Sequence, residues 1–80
     1  MAGMPTLARL PACKIVMYAG DHLPPHFHII GSDGREALVE IASLTVLRGS
    51  VGKAAMAQAR AWLATVDAGL LNAKWSELNP

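Results

Sequence analysis

Apolar and polar positions alternate in the first half of the chain and move to a spacing of three and four in the second. In His26-Phe27-His28-Ile29-Ile30, Phe27 and Ile29 point to one side and His26 and His28 to the other, the period of a strand with one face toward a core. Upstream, Lys14-Ile15-Val16-Met17-Tyr18 is β-branched and aromatic and reads as a strand ending at Gly20. Downstream, Glu36 to Ile41 reads as another, reached through the turn Gly31-Ser32-Asp33-Gly34-Arg35. With a three-residue loop, Ser32 to Gly34, Phe27 faces Val39 and Ile29 faces Ala37, while His28 faces Leu38 and His26 faces Glu40. A two-residue loop would set Phe27 against Glu40 and bury a carboxylate, so the pattern selects the longer one. Ala42-Ser43-Leu44 returns the chain through a strand over Thr45 to Arg48, which Gly49 stops.

From Ser50, read as an N-cap, the alanine-rich segment predicts a helix through about Val66. Ala55, Ala59, Trp62, Leu63 and Val66 form its apolar stripe, and Lys53 and Arg60 mark the wet side. Asp67 can cap a second helix over Ala68 to Leu78 with Leu71, Trp75 and Leu78 as its edge; Gly69 leaves one continuous kinked helix open as the alternative. Pro5 and Pro11 make residues 1–12 an irregular lead-in with a short strand around Leu7 to Leu10, and Met4 could itself serve as a start. The expected fold is α+β: one domain over residues 1–80, with a three- or four-stranded antiparallel meander over 13–49 covered on one face by C-terminal helices over 50–78.

Composition adjusts this picture. Eighty residues form a core that buries only about 60% of the unfolded surface. With 52% hydrophobic and 16% charged residues, apolar surface is expected to stay exposed, which points to a protein partner or a homodimer. The net charge is +1 and the seven cations are spread along the chain, which argues against nucleic acid. One cysteine, Cys13, excludes an internal disulfide and reads as a small buried hydrophobe. No apolar run suits a signal peptide or a membrane span, so the cytoplasm is the expected location.

The chemistry concentrates between Asp21 and His28. Pro24 and Pro25 remove two amide donors and hold Asp21 to Pro25 as a rigid connector. His26 and His28 project from one face at a spacing that can put two imidazoles on one ion, with Asp21, His22 or Glu40 as a third ligand. No cofactor is expected; zinc is the alternative such a set could take, and an open position on it would support hydrolysis. The plainer arrangement has both histidines on the open face of a sheet covered on one side only, His26 paired with Glu40 across the strands. That face, with Tyr18 or Phe27 at its margin, could equally contact a partner. No nucleophile with a base in obvious reach is visible.

Met4-Pro5-Thr6, Asp21-His22, Pro24-Pro25-His26-Phe27-His28, Glu36-Ala37-Leu38-Val39, Leu47, Gly49, Leu70-Leu71 and Trp75 together resemble the bacterial domain-of-unknown-function family DUF4160. The resemblance spans about Met4 to Leu78 and is most specific at Pro24 to His28. It implies a stand-alone α+β domain, encoded beside another small protein in the manner of toxin and antitoxin pairs, with no established activity. Where relatives place acidic residues ahead of the last leucines and tryptophan, this chain has Ala68-Gly69 and Asn72-Ala73. The expected function is a non-catalytic interaction or regulatory module using Asp21, His22, Pro24, Pro25, His26, His28 and Glu40 for recognition. The alternative is a small metal-dependent hydrolase centred on His26 and His28.

Overall fold

The computed structural model describes residues 5–80. Met4, and with it the alternative start, lies outside them. Strands β1 (Thr6–Leu10), β2 (Cys13–Val16), β3 (His26–Gly31), β4 (Glu36–Glu40) and β5 (Val46–Gly49) precede helices α1 (Lys53–Leu63) and α2 (Ala68–Leu78). All neighbouring strands are antiparallel and follow chain order, so the sheet is a meander.

The sheet has five strands, not three or four. The added strand is β1: the short strand expected around Leu7 to Leu10 runs from Thr6 to Leu10 and pairs with β2, because the prolines of the lead-in bracket it rather than interrupt it. Pro5 precedes the first strand residue, and Pro11 occupies the two-residue turn that sets Leu10 opposite Cys13. Neither position has to donate a ladder hydrogen bond, so neither ring costs one.

The β3–β4 register is the expected one: Phe27 faces Val39, Ile29 faces Ala37, His28 faces Leu38 and His26 faces Glu40. Gly31 and Arg35 close the turn through Gly31 N–H to Arg35 C=O at 2.8 Å, and Gly34 takes φ +89 in the loop. An L side chain resists that conformation, which is why glycine stands there. Asp33 completes the turn by accepting from the Arg35 amide at 3.0 Å.

Helix α1 starts later than expected. Its N-cap is Gly52, which offers no side-chain cap, and Ser50 lies outside the helix. Val51 packs against the core before the chain winds up, so the turn from sheet to helix uses the residues that were expected to open the helix. The helix also stops at Leu63, and α2 is a separate helix whose Asp67 N-cap accepts from the Gly69 amide at 2.7 Å. That bond satisfies one of the orphan donors of a first helical turn and decides against a continuous kinked helix.

Ala55 and Ala59 of α1 lie against the face formed by Ile15, Phe27, Ile29 and Val39, and α2 adds Leu71 and Trp75 to the same cluster. Small alanines let the helix approach the strands closely. Phe27, Ile15 and Ile29 are essentially inaccessible, each worth about 1.5–3 kcal/mol of transfer free energy. Trp62, Leu63 and Val66 of the expected stripe are only partly buried.

Candidate metal centre

The opposite face of β3 is not open. His26 is 4% exposed and His28 8%, although no helix lies flat over them as α1 does over Phe27. The cover comes from the β2–β3 connection folding back: Tyr18 meets the His28 ring edge-on at a centroid distance of 4.4 Å, and Asp21 reaches over both rings. Trp75 closes the side next to His26, with ring centroids 5.1 Å apart. The expectation of solvent-facing histidines is therefore corrected. Phe27, expected at the margin of that face, is wholly buried on the other one.

Each imidazole is held at one nitrogen. His26 Nδ1 lies 2.8 Å from the Pro24 carbonyl oxygen, and His28 Nδ1 lies 2.8 Å from Glu36 Oε2. Carbonyl and carboxylate oxygens only accept, so both Nδ1 atoms carry protons. A ring held this way can offer Nε2 to an ion, but facing the Asp21 carboxylate, as His28 does, Nε2 has to carry the proton that an ion would displace. Both Nε2 atoms converge on one atom, Asp21 Oδ2, at 2.9 Å for His26 and 3.1 Å for His28.

Asp21 is aimed as firmly as the rings. Its Oδ1 accepts from the His22 amide at 2.8 Å, which leaves Oδ2 for the histidines. Its own amide donates to Asn79 Oδ1 at 2.6 Å. Burial works to raise the Asp21 carboxyl, but the His28 ring, the His22 amide and both nearby imidazoles outweigh it and hold the group below the ordinary aspartate range. Burial, with Glu36 and Asp21 close by, pushes the Tyr18 phenol up.

The His26 contact does not satisfy the ring. Asp21 Oδ2 is within 2.9 Å of Nε2 but lies off the direction of a hydrogen bond, so this buried nitrogen has no aligned partner among the described residues. The three ligand-type atoms all fall within 4.8 Å of one another. A tetrahedral ion with bonds near 2.0–2.2 Å sets its ligand atoms about 3.3 Å apart, close to the nitrogen–oxygen separations here.

The residues expected to act divide accordingly. Asp21, His26 and His28 come together, and Pro24 contributes through its carbonyl. Pro25 is structural: its carbonyl accepts from the Ile41 amide at 3.1 Å. His22 is exposed and takes part only through its amide. Glu40 faces His26 in register, but its carboxylate accepts from the Ser43 hydroxyl, so the expected His26–Glu40 pair is replaced by His26 with Asp21. Glu40 is too near the β4–β5 turn, whose hydroxyl captures it. Cys13 behaves as expected, buried with its thiol pushed up by that burial.

Tyr18 lies against the histidine face, at whose margin it was expected, whereas Glu36, Trp75 and Asn79 were missed. Glu36 was findable, because the predicted register puts positions 36, 38 and 40 on the histidine face, and Glu36 is a diagonal neighbour of His28. Nothing local marks Asn79, which arrives from the far end of the chain.

Beside the centre, an open groove of about 210 Å³ is lined by Asp21, His26, Leu38, Leu47 and Arg48. Fold and site together describe a small α+β domain with a histidine–carboxylate cluster under one face of a meander. The sequence profile of the family described as a domain of unknown function (DUF4160) matches residues 13–76, and the chain belongs to that family. No curated protein and no solved structure matches it. Among the described residues, no helix is long and apolar enough to cross a membrane.

Proposed function

We propose that this chain is a small metal-binding domain in which Asp21, His26 and His28 hold one divalent ion of the zinc class. One observation carries the reading: two buried imidazoles, each with Nδ1 already committed to an acceptor, bring Nε2 to a single carboxylate oxygen. Backbone and carboxylate acceptors on the far nitrogen are the usual outer support of metal-bound histidine, because they fix the tautomer and raise ligand basicity. Two nitrogens and one oxygen suit zinc or another borderline transition ion, not calcium or magnesium.

Three protein ligands are the complement of a catalytic rather than a structural zinc site. The groove past Leu38 and Arg48 reaches Asp21 and His26, the side from which the fourth position of a bound ion would open to solvent. An ion there would supply a Lewis acid and a water ionised near neutral pH, which is the basis of the hydrolase alternative. Isothermal titration of chelator-treated protein with zinc should give one site per chain, and cobalt substitution should give the visible bands of a four-coordinate centre. Absence of binding by the wild type, or binding that survives His28→Ala unchanged, would refute the proposal.

A recognition role is favoured by a different observation. Leu23, Leu44, Val46 and Leu47 are exposed large apolar residues, and all of β5 is accessible at the sheet edge. We take this edge as the docking site for an extended segment of a partner protein, since an unpaired edge offers main-chain donors and acceptors. Arg48 and Arg60 border it, so the segment would carry acidic residues. This keeps the interaction module, and membership of a two-protein pair, as a proposal compatible with the metal. Gel filtration with light scattering separates a monomer awaiting a partner from a homodimer.

A further inference from the structure

The backbone of the Asp21 loop is anchored by the last residue of α2, Leu78, and by its C-cap, Asn79. The Asp21 amide donates to Asn79 Oδ1 at 2.6 Å, and the preceding Gly20 amide donates to the Leu78 carbonyl at 3.4 Å. Asn79 Nδ2 in turn donates to the Tyr18 carbonyl at 3.4 Å and to the Trp75 carbonyl at 3.1 Å. One side chain therefore ties the end of the helix to the ligand loop at two points, Tyr18 and Asp21. Four residues back in the same helix, the Trp75 ring rests against His26.

Of the three ligands, His26 and His28 are fixed by the sheet, whereas Asp21 sits in a connection with no strand partner of its own. Its position depends on what the connection is tied to. Among the described residues, the long-range ties at Gly20 and Asp21 run to residues 78 and 79. With α2 undocked, Asp21 loses its anchor and His26 loses its cover.

From this juxtaposition we infer that Asn79 is a positioning residue for the metal centre, and that metal binding and docking of α2 are one coupled equilibrium. The inference rests on the metal reading above and adds its regulation. Coupling of this kind is reciprocal: if the docked helix improves metal affinity, the metal stabilises the docked helix by the same factor. A partner that captured the C-terminal helix would then weaken the hold on the ion, and loss of the ion would weaken the docking of Trp75 and Leu71 by the same factor.

The test uses the full chain with zinc as the probe. Zinc affinity is measured for wild type, Asn79→Ala and Asn79→Asp, and amide hydrogen exchange is followed with and without zinc. Asn79→Ala should bind about 10–100-fold more weakly, the usual effect of removing outer support from a metal ligand. Asn79→Asp keeps the oxygen that the Asp21 amide needs but loses the Nδ2 donations to Tyr18 and Trp75, so its affinity should fall between wild type and Asn79→Ala. Zinc should slow exchange in α2 and at Gly20 and Asp21 more than in α1. Equal affinity in wild type and Asn79→Ala overturns the inference and leaves the metal centre standing. So does a loss in Asn79→Asp as large as in Asn79→Ala, since the oxygen that holds the Asp21 amide would then contribute nothing to the centre. Protection confined to residues 21–28 overturns the coupling as well. No zinc binding by the wild type defeats the metal reading itself and the inference with it.

Discussion

The two faces of β3 carry alternate residues of a six-residue strand and are buried by different means. On one, Phe27 and Ile29 meet Ile15, Val39 and the small alanines of α1, and burial follows from transfer of apolar area. On the other, His26 and His28 are almost as inaccessible, but what covers them is a loop carboxylate, a tyrosine edge and a tryptophan from the far end of the chain. The first face needs only shape and hydrophobicity. The second must compensate for desolvated polar groups, and it leaves one ring nitrogen without an aligned partner. A face that costs stability and leaves a ligand atom unsatisfied is the place to look for function, whereas the apolar face explains why the chain folds.

If the faces divide the work in this way, they respond differently to substitution and to metal. The largest effect belongs to the apolar face. Phe27→Ala should lose about 3–5 kcal/mol in urea unfolding, by lost transfer free energy and a residual cavity, and the loss should be the same with and without zinc. A zinc-dependent loss would mean that the two faces are not separate.

Next comes the metal itself. At a free zinc concentration a hundredfold above its dissociation constant, wild type should gain about 2.7 kcal/mol of stability. His26→Ala should remove that gain while leaving the circular dichroism of the fold intact. A gain that persists in His26→Ala would place the ion elsewhere.

Helix α2 belongs to both faces, since Trp75 joins the apolar cluster and also lies against His26. Removing its cap by Asp67→Ala should cost about 1 kcal/mol in thermal or urea unfolding. Restoration by Asp67→Ser would confirm that the loss is a capping loss.

The smallest effect lies at the turn between β3 and β4, away from both faces. The Asp33 carboxyl is held below the ordinary aspartate range by the Arg35 amide, with the Arg35 guanidinium adding to it. Because the folded value is depressed, its contribution is present above the unfolded value of about 3.9 and is lost as pH falls through the folded one. The difference in urea midpoint between wild type and Asp33→Ala should therefore be small at neutral pH and vanish in acid. A difference that grows in acid would contradict the assignment.

The strand register was legible because the alternation around Phe27 and Val39 admits only one pairing that avoids burying a carboxylate. The same pairing lets Glu36 be recovered on the histidine face. Strand β1 was expected as a short strand around Leu7 to Leu10 but left out of the sheet, because the prolines at its two ends made the segment look like an irregular lead-in. The start of α1 was misplaced because Ser50 is a good cap in isolation, while the packing of Val51 delays the helix to Lys53. At the site, sequence named Asp21, His22 and Glu40 as candidates for the third ligand but could not rank them, since register brings Glu40 opposite His26 and says nothing of where a loop folds. Asn79 was beyond reach, because its contact with Asp21 spans 58 positions and is made by a residue with no distinctive surroundings in sequence.

The most direct test of the metal centre is the histidine ring nitrogen spectrum of ¹⁵N-labelled protein before and after one equivalent of zinc. The prediction is that the Nε2 resonances of His26 and His28 shift together and saturate at one ion per chain, that their Nδ1 protons stay in place on Pro24 and Glu36, and that exposed His22 does not respond. Three rings that titrate independently with pH and ignore zinc would contradict it.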